Sequence, residues 1–210
     1  MRVRTINELN DKLDEEIQWR KKELVDYSFI IEENKNSTRI TPLIRGGIAL
    51  SYAHWEGFIK MSSSFFINFI SIKKIPINEL QLNFIALSYI KRINKGNGIE
   101  ECINLIEDIL SDNQKPCKIY DKDIIETKSN LKFHVLEEIL VSLGLEKDHF
   151  SSKQNFINKK LVEPRNDIAH GTYREVNYED FKTVHENIIP LMEHYKCLIE
   201  NSAFQKHYKK

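Results

Sequence analysis

The sequence contains few of the residues that break regular structure or bind metals. Its 210 residues include 7 glycines and 5 prolines, and this scarcity favours long helices over a β-rich fold with many tight turns. Its three cysteines lie far apart and form no metal-binding or redox spacing, which is typical of a protein in a reducing compartment. We therefore expect a cytoplasmic location.

The chain also has no net charge and no long apolar segment. Its 31 basic and 31 acidic side chains cancel, so the total does not indicate a general polyanion binder, although a local basic cleft can exist in a neutral protein. The most apolar stretch, residues 65–72, is too short to span a bilayer. The first residues contain no apolar signal core. We expect no membrane contact.

Several common catalytic motifs are missing as well. The sequence has no glycine-rich phosphate loop, no G-x-S-x-G nucleophile motif and no zinc-binding histidine pair with an acidic helper. Its seven histidines are scattered, and we interpret His185 and His194, which lie beside glutamates near the end of the chain, as surface residues. These observations predict no metal site and no cofactor.

Helical periodicity dominates what is present. Apolar residues recur at three- and four-residue steps, and no segment alternates convincingly at period two. With 41% apolar and 30% charged residues, the pattern predicts one all-α domain over residues 1–210. We expect a bundle of about five to seven helices, with an irregular loop around 111–127 that is little tied to the core. Residues 205–210 are expected to form a flexible, solvated tail.

The predicted helices have recognisable start signals. Thr5 and Glu8 form a capping box before an amphipathic helix of roughly 28 residues. Thr41, which a proline follows, is the predicted cap of a second, largely buried helix. The remaining predicted starts are Asn78, Ile99, Ser129, the pair Ser151–Ser152, and Asn177. The expected core-facing residues of the helix over 99–110 are Cys102, Ile103, Ile106 and Ile109 or Leu110.

One short run gathers Arg165, Asn166 and His170. The proline just before them indicates a helix that begins there, or a kink in a longer one. At about 100° per residue, the three side chains occupy one arc of the helix, and Ile168 points to the opposite side. Gly171 removes side-chain bulk beside the histidine, so another chain or a phosphate can approach closely.

This set of side chains suits phosphodiester cleavage without a metal. An imidazole can accept or give a proton near neutral pH, and a guanidinium matches phosphate oxygens and stabilises charge that develops at phosphorus. In RNA the 2′-hydroxyl supplies the nucleophile. Since one histidine cannot easily act as base and acid at once, two copies that meet across a dimer could share the two roles.

The spacing alone is weak support for such a site. A chain with eight arginines and seven histidines contains comparable pairs by chance, and a salt-bridged helix end is the simpler interpretation. Arg45 and Glu56 lie at the two ends of one face of the second predicted helix and could support the site. Exposed ends of a packed helix are the simpler interpretation of that pair.

The full string Arg165-Asn-Asp-Ile-Ala-His-Gly171 resembles the signature of the HEPN superfamily of helical ribonucleases. The segments 1–6, 19–24, 52–60 and 127–131 are similar to one branch, the HEPN-like nucleases found near toxin–antitoxin and phage-defence genes. The resemblance spans nearly the whole chain. It implies an all-α fold and a dimer that brings two motifs together.

The resemblance also implies a reaction, the metal-independent cleavage of RNA to 2′,3′-cyclic phosphate and 5′-hydroxyl ends. It assigns Arg165 to the phosphate, Asn166 to a neighbouring polar role and His170 to acid–base chemistry. Some HEPN toxins carry a tyrosine two positions after the histidine, which a partner nucleotidylates. Tyr173 stands three positions after it and could stack on a base. The implied partners are RNA (tRNA or mRNA), a second copy of the chain, and a cognate antitoxin or neighbouring defence protein.

Two other interpretations stay open. The chain could be a non-catalytic HEPN module that binds RNA or a partner protein, although such a module need not keep the arginine, the asparagine and the histidine together. It could also be a structural helical subunit of a larger defence complex.

Overall fold

Eight α-helices, one short 3₁₀ helix (Ile77–Glu79) and one π-helical segment (Phe156–Val162) make up the regular structure of the described residues. In this computed structural model the described residues are 2–95, 98–111, 114–117, 119, 125–128 and 130–210. The helices are Ile6–Glu33 (α1), Ile40–Ile72 (α2), Leu82–Ile93 (α3), Ile99–Ser111 (α4), Phe133–Leu143 (α5), Asp148–Ser152 (α6), Glu163–Ala169 (α7) and Tyr178–Gln205 (α8). The predicted all-α class is confirmed. The count exceeds the predicted one because residues 148–169 divide into several short helical pieces. None of the described helices is long and apolar enough to cross a bilayer.

The long helices α1, α2 and α8 pack against one another at the centre of the bundle. Helix α2 was predicted to be central because it is apolar around most of its circumference, and its large side chains are indeed inaccessible to solvent. Burial of each such side chain stabilises the fold by about 1.5–3 kcal/mol. Its largest fully buried residues are Tyr52, Trp55, Phe58, Phe66 and Phe69.

Close packing around α2 depends on a glycine. A Cβ at Gly47 would lie 2.7 Å from the ring of Phe181 in α8 and 3.0 Å from Ile31 in α1. Such distances are shorter than real carbon–carbon contacts, so a larger residue would force the two neighbouring helices apart. Gly47 therefore lets the three long helices pack closely at this position.

The predicted capping box at Thr5 and the predicted helix cap at Asn177 are both confirmed, and Asn177 also forms a capping box. The Thr5 hydroxyl accepts a hydrogen bond from the Glu8 N–H at 3.1 Å, and α1 has the predicted 28 residues. The Asn177 side chain accepts from the Asp180 N–H at 3.0 Å at the start of α8. These bonds satisfy amide groups that have no partner inside the helix.

Two other predicted caps are wrong. Helix α2 begins at Ile40 with Arg39 in the cap position, so Thr41 lies inside its first turn. Ser151 and Ser152 lie inside α6, because the buried Phe150 already belongs to that helix. The predicted cap Ser129 lies outside the described residues, and α5 ends as expected at a glycine in the left-handed conformation, with φ 64°.

The residues after α8 are packed onto the bundle instead of forming the predicted solvated tail. Tyr208 is 2% exposed and meets the ring of Phe69 edge-on at 6.1 Å between centroids. Its carbonyl oxygen accepts from the Gln81 N–H at 3.0 Å. This pairing keeps Gln81 extended, so α3 begins only at Leu82 and not at the predicted Asn78.

The segment 111–127 is irregular where it is described after α4, as predicted, but it is tied to the core more firmly than expected. Cys117, Ile119 and Ile125 are buried, and the Cys117 N–H donates to the carbonyl oxygen of Ile75 at 2.9 Å. Short apolar contacts of this kind leave no periodic pattern in the sequence.

Helix α4 departs most from the prediction. None of its side chains is buried, and most of the residues expected to face the core face solvent. It is attached to the bundle through its other side. Arg92 of α3 pairs with Glu101 at 3.2 Å and with Asp108 at 2.6 Å, and Ile109 packs against the main core.

Candidate functional site

The predicted run of site residues lies on α7. A π-helical segment, Phe156–Val162, precedes α7 without a break, and the buried Pro164 follows it closely. Proline has no N–H, and its ring collides with the carbonyl of the residue four positions earlier in a regular α-helix. A wider turn ahead of the proline relieves this collision, and such turns are frequent at functional sites. Of the two alternatives, a helix that begins beside this proline agrees with the start of α7 at Glu163.

The end of α7 exposes His170. The Thr172 N–H donates to the carbonyl oxygen of Asp167 at 2.8 Å, and the Gly171 N–H donates to that of Ile168 at 3.2 Å. This pattern is the helix-terminating arrangement in which a left-handed residue turns the chain away. Gly171 has φ +72°, and a Cβ there would meet no described atom within 4 Å. The glycine is therefore required by backbone conformation, and the space beside the histidine is open.

Arg165 is held in place by the central helix. Its guanidinium carbon lies 4.1 Å from the centroid of the Tyr52 ring, and its Nη2 lies 3.8 Å from Glu56 Oε2. Its Nη1 donates to Asn166 Oδ1 at 2.9 Å. A cation above an aromatic face and beside a carboxylate has a restricted orientation. Glu56, predicted as a supporting residue, thus contacts the arginine side chain directly.

Asn166 connects the arginine to the segment before α5. Its Nδ2 donates to Asn130 Oδ1 at 3.2 Å, and the next residue, Leu131, donates its N–H to the Tyr52 hydroxyl at 2.7 Å. Asn130 and Tyr52 were not among the predicted site residues. Both nevertheless belong to segments that resemble HEPN nucleases, and this resemblance could have pointed to them.

The Tyr52 hydroxyl remains protonated at neutral pH. Burial raises the pKa of Tyr52 to about 12, and the negative charge of Glu56 acts in the same direction. Tyr52 therefore presents an uncharged ring to Arg165 and a hydroxyl oxygen to Leu131. Its position makes it a support for the arginine and not a source of protons.

Arg45 supports the chain that follows the histidine. Its Nη1 donates to the carbonyl oxygen of Arg174 at 3.0 Å, and its Nη2 donates to that of Thr172 at 3.4 Å. Arg174 in turn pairs with Asp167 of α7 at 2.8 Å. The loop after α7 is thereby tied to both α2 and α7. Arg45 thus binds backbone groups next to the site.

The remaining two predicted residues face solvent. His170 is exposed, and in the described part of the chain its imidazole forms no hydrogen bond or ion pair. Tyr173 is 84% exposed. Ile168 lies on the other side of α7, where it is half-buried against the small apolar cluster around Ile44 and Ile48. This exposure agrees with the predicted arrangement, in which Ile168 points to the opposite side of the helix from His170.

The described side chains include no group of three or more histidine, cysteine, aspartate or glutamate residues that could hold a metal ion. The arrangement offers instead one oriented guanidinium, one amide and one exposed imidazole within six residues of chain. A guanidinium and an imidazole can bind a phosphate and move a proton.

Comparison with known families identifies the chain. The sequence model of the family described as RiboL-PSP-HEPN matches residues 15–201, which include the string from Arg165 to Gly171 and most of every long helix. Comparisons with curated proteins and with solved structures gave no match. Because the matching model covers most of the sequence, the chain belongs to the HEPN superfamily, as its motif predicted, within the family described as RiboL-PSP-HEPN.

Proposed function

We propose that this protein is a cytoplasmic, metal-independent endoribonuclease whose active site contains Arg165, Asn166 and His170. The observation that carries the proposal is the placement of these residues along one short helix and at its C-terminal cap, with the arginine oriented and the imidazole open to solvent. Membership of the HEPN superfamily supports a nuclease or an RNA-binding module in general.

The chemistry follows from the groups present. The 2′-hydroxyl of RNA loses its proton to one imidazole, and its oxygen forms a bond to the adjacent phosphorus. The bond from phosphorus to the 5′-oxygen breaks, and that oxygen takes a proton from a second, protonated imidazole. Arg165 stabilises the charge on the phosphoryl oxygens during this exchange. The products are a 2′,3′-cyclic phosphate and a 5′-hydroxyl.

A homodimer explains how two imidazoles reach one phosphate. Each chain carries one His170, and the exposed end of α7 leaves room for the same helix of a second copy. In a two-fold dimer the two motifs face each other, so one histidine acts as base and the other as acid. A solution mass of two chains, reduced to one chain by substitutions in the 165–171 face, would support this arrangement.

Unpaired RNA is the substrate that best fits the surface around the histidine. Tyr173 projects into solvent three residues after His170, and an exposed aromatic ring can stack on a base that is not in a helix. Loops of tRNA and single-stranded mRNA both offer such bases. The neutral total charge argues against indiscriminate RNA binding, because long-range attraction to phosphates is weak.

The proposal includes a toxin or antiviral role, with a cognate antitoxin or neighbouring defence protein as the regulator. This part of the proposal rests on the similarity of segments 1–6, 19–24, 52–60 and 127–131 to nucleases of defence loci. Production of the protein without a regulator should then arrest growth, and production of a His170→Ala variant should not.

The direct test is RNA cleavage by purified variants. His170→Ala and Arg165→Ala should each reduce the rate by about 10²–10⁴-fold, the contribution typical of a positioned proton-transfer group or of charge stabilisation. His207→Ala is the matched control, because His207 is also exposed and lies at the C-terminal end, and it should cleave normally. Circular dichroism and melting curves verify that all variants are folded. Full activity in His170→Ala or Arg165→Ala would rule out the assigned mechanism.

A second function, binding without cleavage, is favoured by one contact. Arg165 already donates to Asn166 and lies close to Glu56, so a phosphate must share or displace these partners. In a binding module the same contacts could be purely structural. An electrophoretic shift without products, over several classes of RNA, would establish this alternative.

A further inference from the structure

Helix α4 exposes a continuous apolar stripe. Ile99, Ile103, Ile106 and Leu110 follow one another at four-, three- and four-residue steps, so they lie on one face of the helix. Their exposed fractions are 78%, 49%, 55% and 68%. Four large aliphatic side chains in one row differ from the scattered apolar residues that ordinary protein surfaces carry.

Loose attachment of α4 does not explain the exposure of the stripe. The opposite side of the helix is fixed by the ion pairs of Arg92 with Glu101 and Asp108, and by Ile109 against the core. These contacts determine which face of α4 points outward. The exposed stripe is therefore a feature of the folded bundle.

The charge around the stripe indicates what can cover it. All four charged residues of α4 are acidic, and the helix contains no lysine or arginine. At about 100° per residue, Glu100 and Glu107 lie together along one edge of the stripe. Both are exposed, and neither forms an ion pair within the part of the chain that is described. A partner needs apolar side chains for the stripe and positive charge for this edge.

We propose that the stripe Ile99–Ile103–Ile106–Leu110 is a docking site for a basic amphipathic helix of a partner protein. Such a helix lays its apolar face on the stripe and places lysine or arginine side chains beside Glu100 and Glu107. This inference concerns a surface separate from α7 and does not depend on nuclease activity.

Other occupants fit less well. A second copy of the chain would bring two acidic helices together, and like charges facing each other oppose association. A helix that lies on a membrane surface typically has lysine and arginine on its polar face, which α4 lacks. An acidic helix also repels the phosphates of RNA.

The chain contains a convenient reporter for the test. Cys102 is exposed and stands three residues after Ile99, which places it beside the stripe, whereas Cys117 is buried. Replacement of the other exposed cysteine, Cys197→Ser, lets an environment-sensitive fluorophore be attached to Cys102 alone. The probe ligand is a synthetic helical peptide of roughly 20 residues, long enough to form a helix, with leucines at helical spacing and lysines along one flank.

The labelled protein should bind this peptide. Its affinity for a version with glutamates in place of the lysines should be lower by roughly tenfold or more. The double variant Ile103→Asn, Ile106→Asn should lose binding by a similar factor while its melting temperature and its behaviour towards RNA stay unchanged. The variant Glu100→Lys, Glu107→Lys should reverse the preference and bind the glutamate peptide. Leu82→Asn, at an exposed leucine of α3, is the matched control and should bind as the parent does.

Equal affinity for the two peptides, or no binding to either, would overturn the proposal. A doubling of the solution mass that the Ile103→Asn, Ile106→Asn variant abolishes would assign the stripe to a second copy instead. Binding of the labelled protein to phosphatidylserine or phosphatidylcholine vesicles, with loss of binding in the same variant, would assign it to a membrane.

Discussion

The Arg165 guanidinium carbon lies 4.1 Å from the centroid of the Tyr52 ring, so the arginine of the short helix α7 rests on the central helix α2. Arg165 side-chain freedom is further limited by Glu56 and Asn166. A flexible arginine would lose conformational entropy each time it bound a phosphate. An arginine that is already oriented loses less, and this is the advantage of building the site against α2.

Removal of the Tyr52 hydroxyl should lower the free energy of unfolding and leave the cleavage rate largely unchanged. In Tyr52→Phe the buried N–H of Leu131 loses its acceptor, which costs about 1–3 kcal/mol. The ring remains under Arg165, so cleavage per folded molecule should be retained. Denaturant unfolding measures the change. Tyr27→Phe is the matched control with a smaller expected effect, because its hydroxyl is half-buried and donates to Leu43 at 3.2 Å. Equal stability of Tyr52→Phe and the parent would contradict the assigned hydrogen bond.

Loss of the Arg45 side chain should loosen the loop after His170. Arg45→Gln removes the two bonds to the carbonyl oxygens of Thr172 and Arg174, so amide exchange in 172–176 should become faster while exchange in α1 stays unchanged. Because the site lies beside this loop, the cleavage rate should fall as well. Hydrogen-exchange mass spectrometry reports the first effect. Arg39→Gln, at an exposed arginine before α2, is the control. Unaltered exchange in Arg45→Gln would show that the loop does not need this support.

The conformation of Gly171 should be more important than its small size. A non-glycine residue at φ +72° is strained by roughly 1–2 kcal/mol, and asparagine is strained less than alanine. Cleavage and stability should therefore decrease in the order Gly171, Gly171→Asn, Gly171→Ala. Parallel activity assays and melts test this order. If Gly171→Ala were as active as the parent, the turn would not position His170. If Gly171→Asn were the worse variant, side-chain bulk at the open surface would be the controlling factor.

Burial of His194 should reduce stability in acid. His194 is half-buried, not a surface residue as its sequence context indicated, and its ring lies 4.0 Å from that of His149. Burial, together with the charge of His149 when protonated, lowers the pKa of His194 below 6.5. As pH falls below 6.5, the unfolded chain takes up a proton that the folded chain resists, so stability is lost. His194→Gln should therefore lose less melting temperature than the parent between about pH 7.5 and pH 5.5.

Other buried histidines contribute to the loss of stability in acid. His54 and His185 also have pKa values lowered by burial, so some loss should persist in His194→Gln. An identical pH dependence in His194→Gln and the parent would mean that His194 has the same pKa in the folded and in the unfolded chain.

The long helices could be predicted from sequence because each of their signals is local. The capping boxes at Thr5 and Asn177 involve residues three apart, and the apolar spacing of α1 and α2 repeats over many turns. The outward face of α4 could not be predicted. Its spacing is as regular as that of α1, and its inward side is marked by contacts with distant residues, namely the ion pairs with Arg92 of α3 and the packing of Ile109 on the core. The packing of Tyr208 onto Phe69 is likewise a long-range contact without a sequence pattern.

The sequence predicted the residues of the candidate site but only some of their supports. Arg165, Asn166 and His170 lie within six residues of chain, so a motif points to them, and two supporting residues on α2 were expected as well. Tyr52 and Asn130 approach α7 only after α2 and the start of α5 fold against it. Residues that orient a functional group are selected for packing and hydrogen bonding, and such roles have no fixed spacing from the group that they support.

The most direct test of the proposed reaction compares one unpaired RNA with the same sequence in which every 2′-hydroxyl is replaced by hydrogen, both in EDTA. The mechanism predicts that the protein cleaves the RNA to 2′,3′-cyclic phosphate and 5′-hydroxyl ends, that His170→Ala does not, and that the 2′-deoxy strand stays intact. Cleavage of the 2′-deoxy strand, or products with 3′-hydroxyl and 5′-phosphate ends, would contradict the account, as would an RNA that the protein binds and leaves whole.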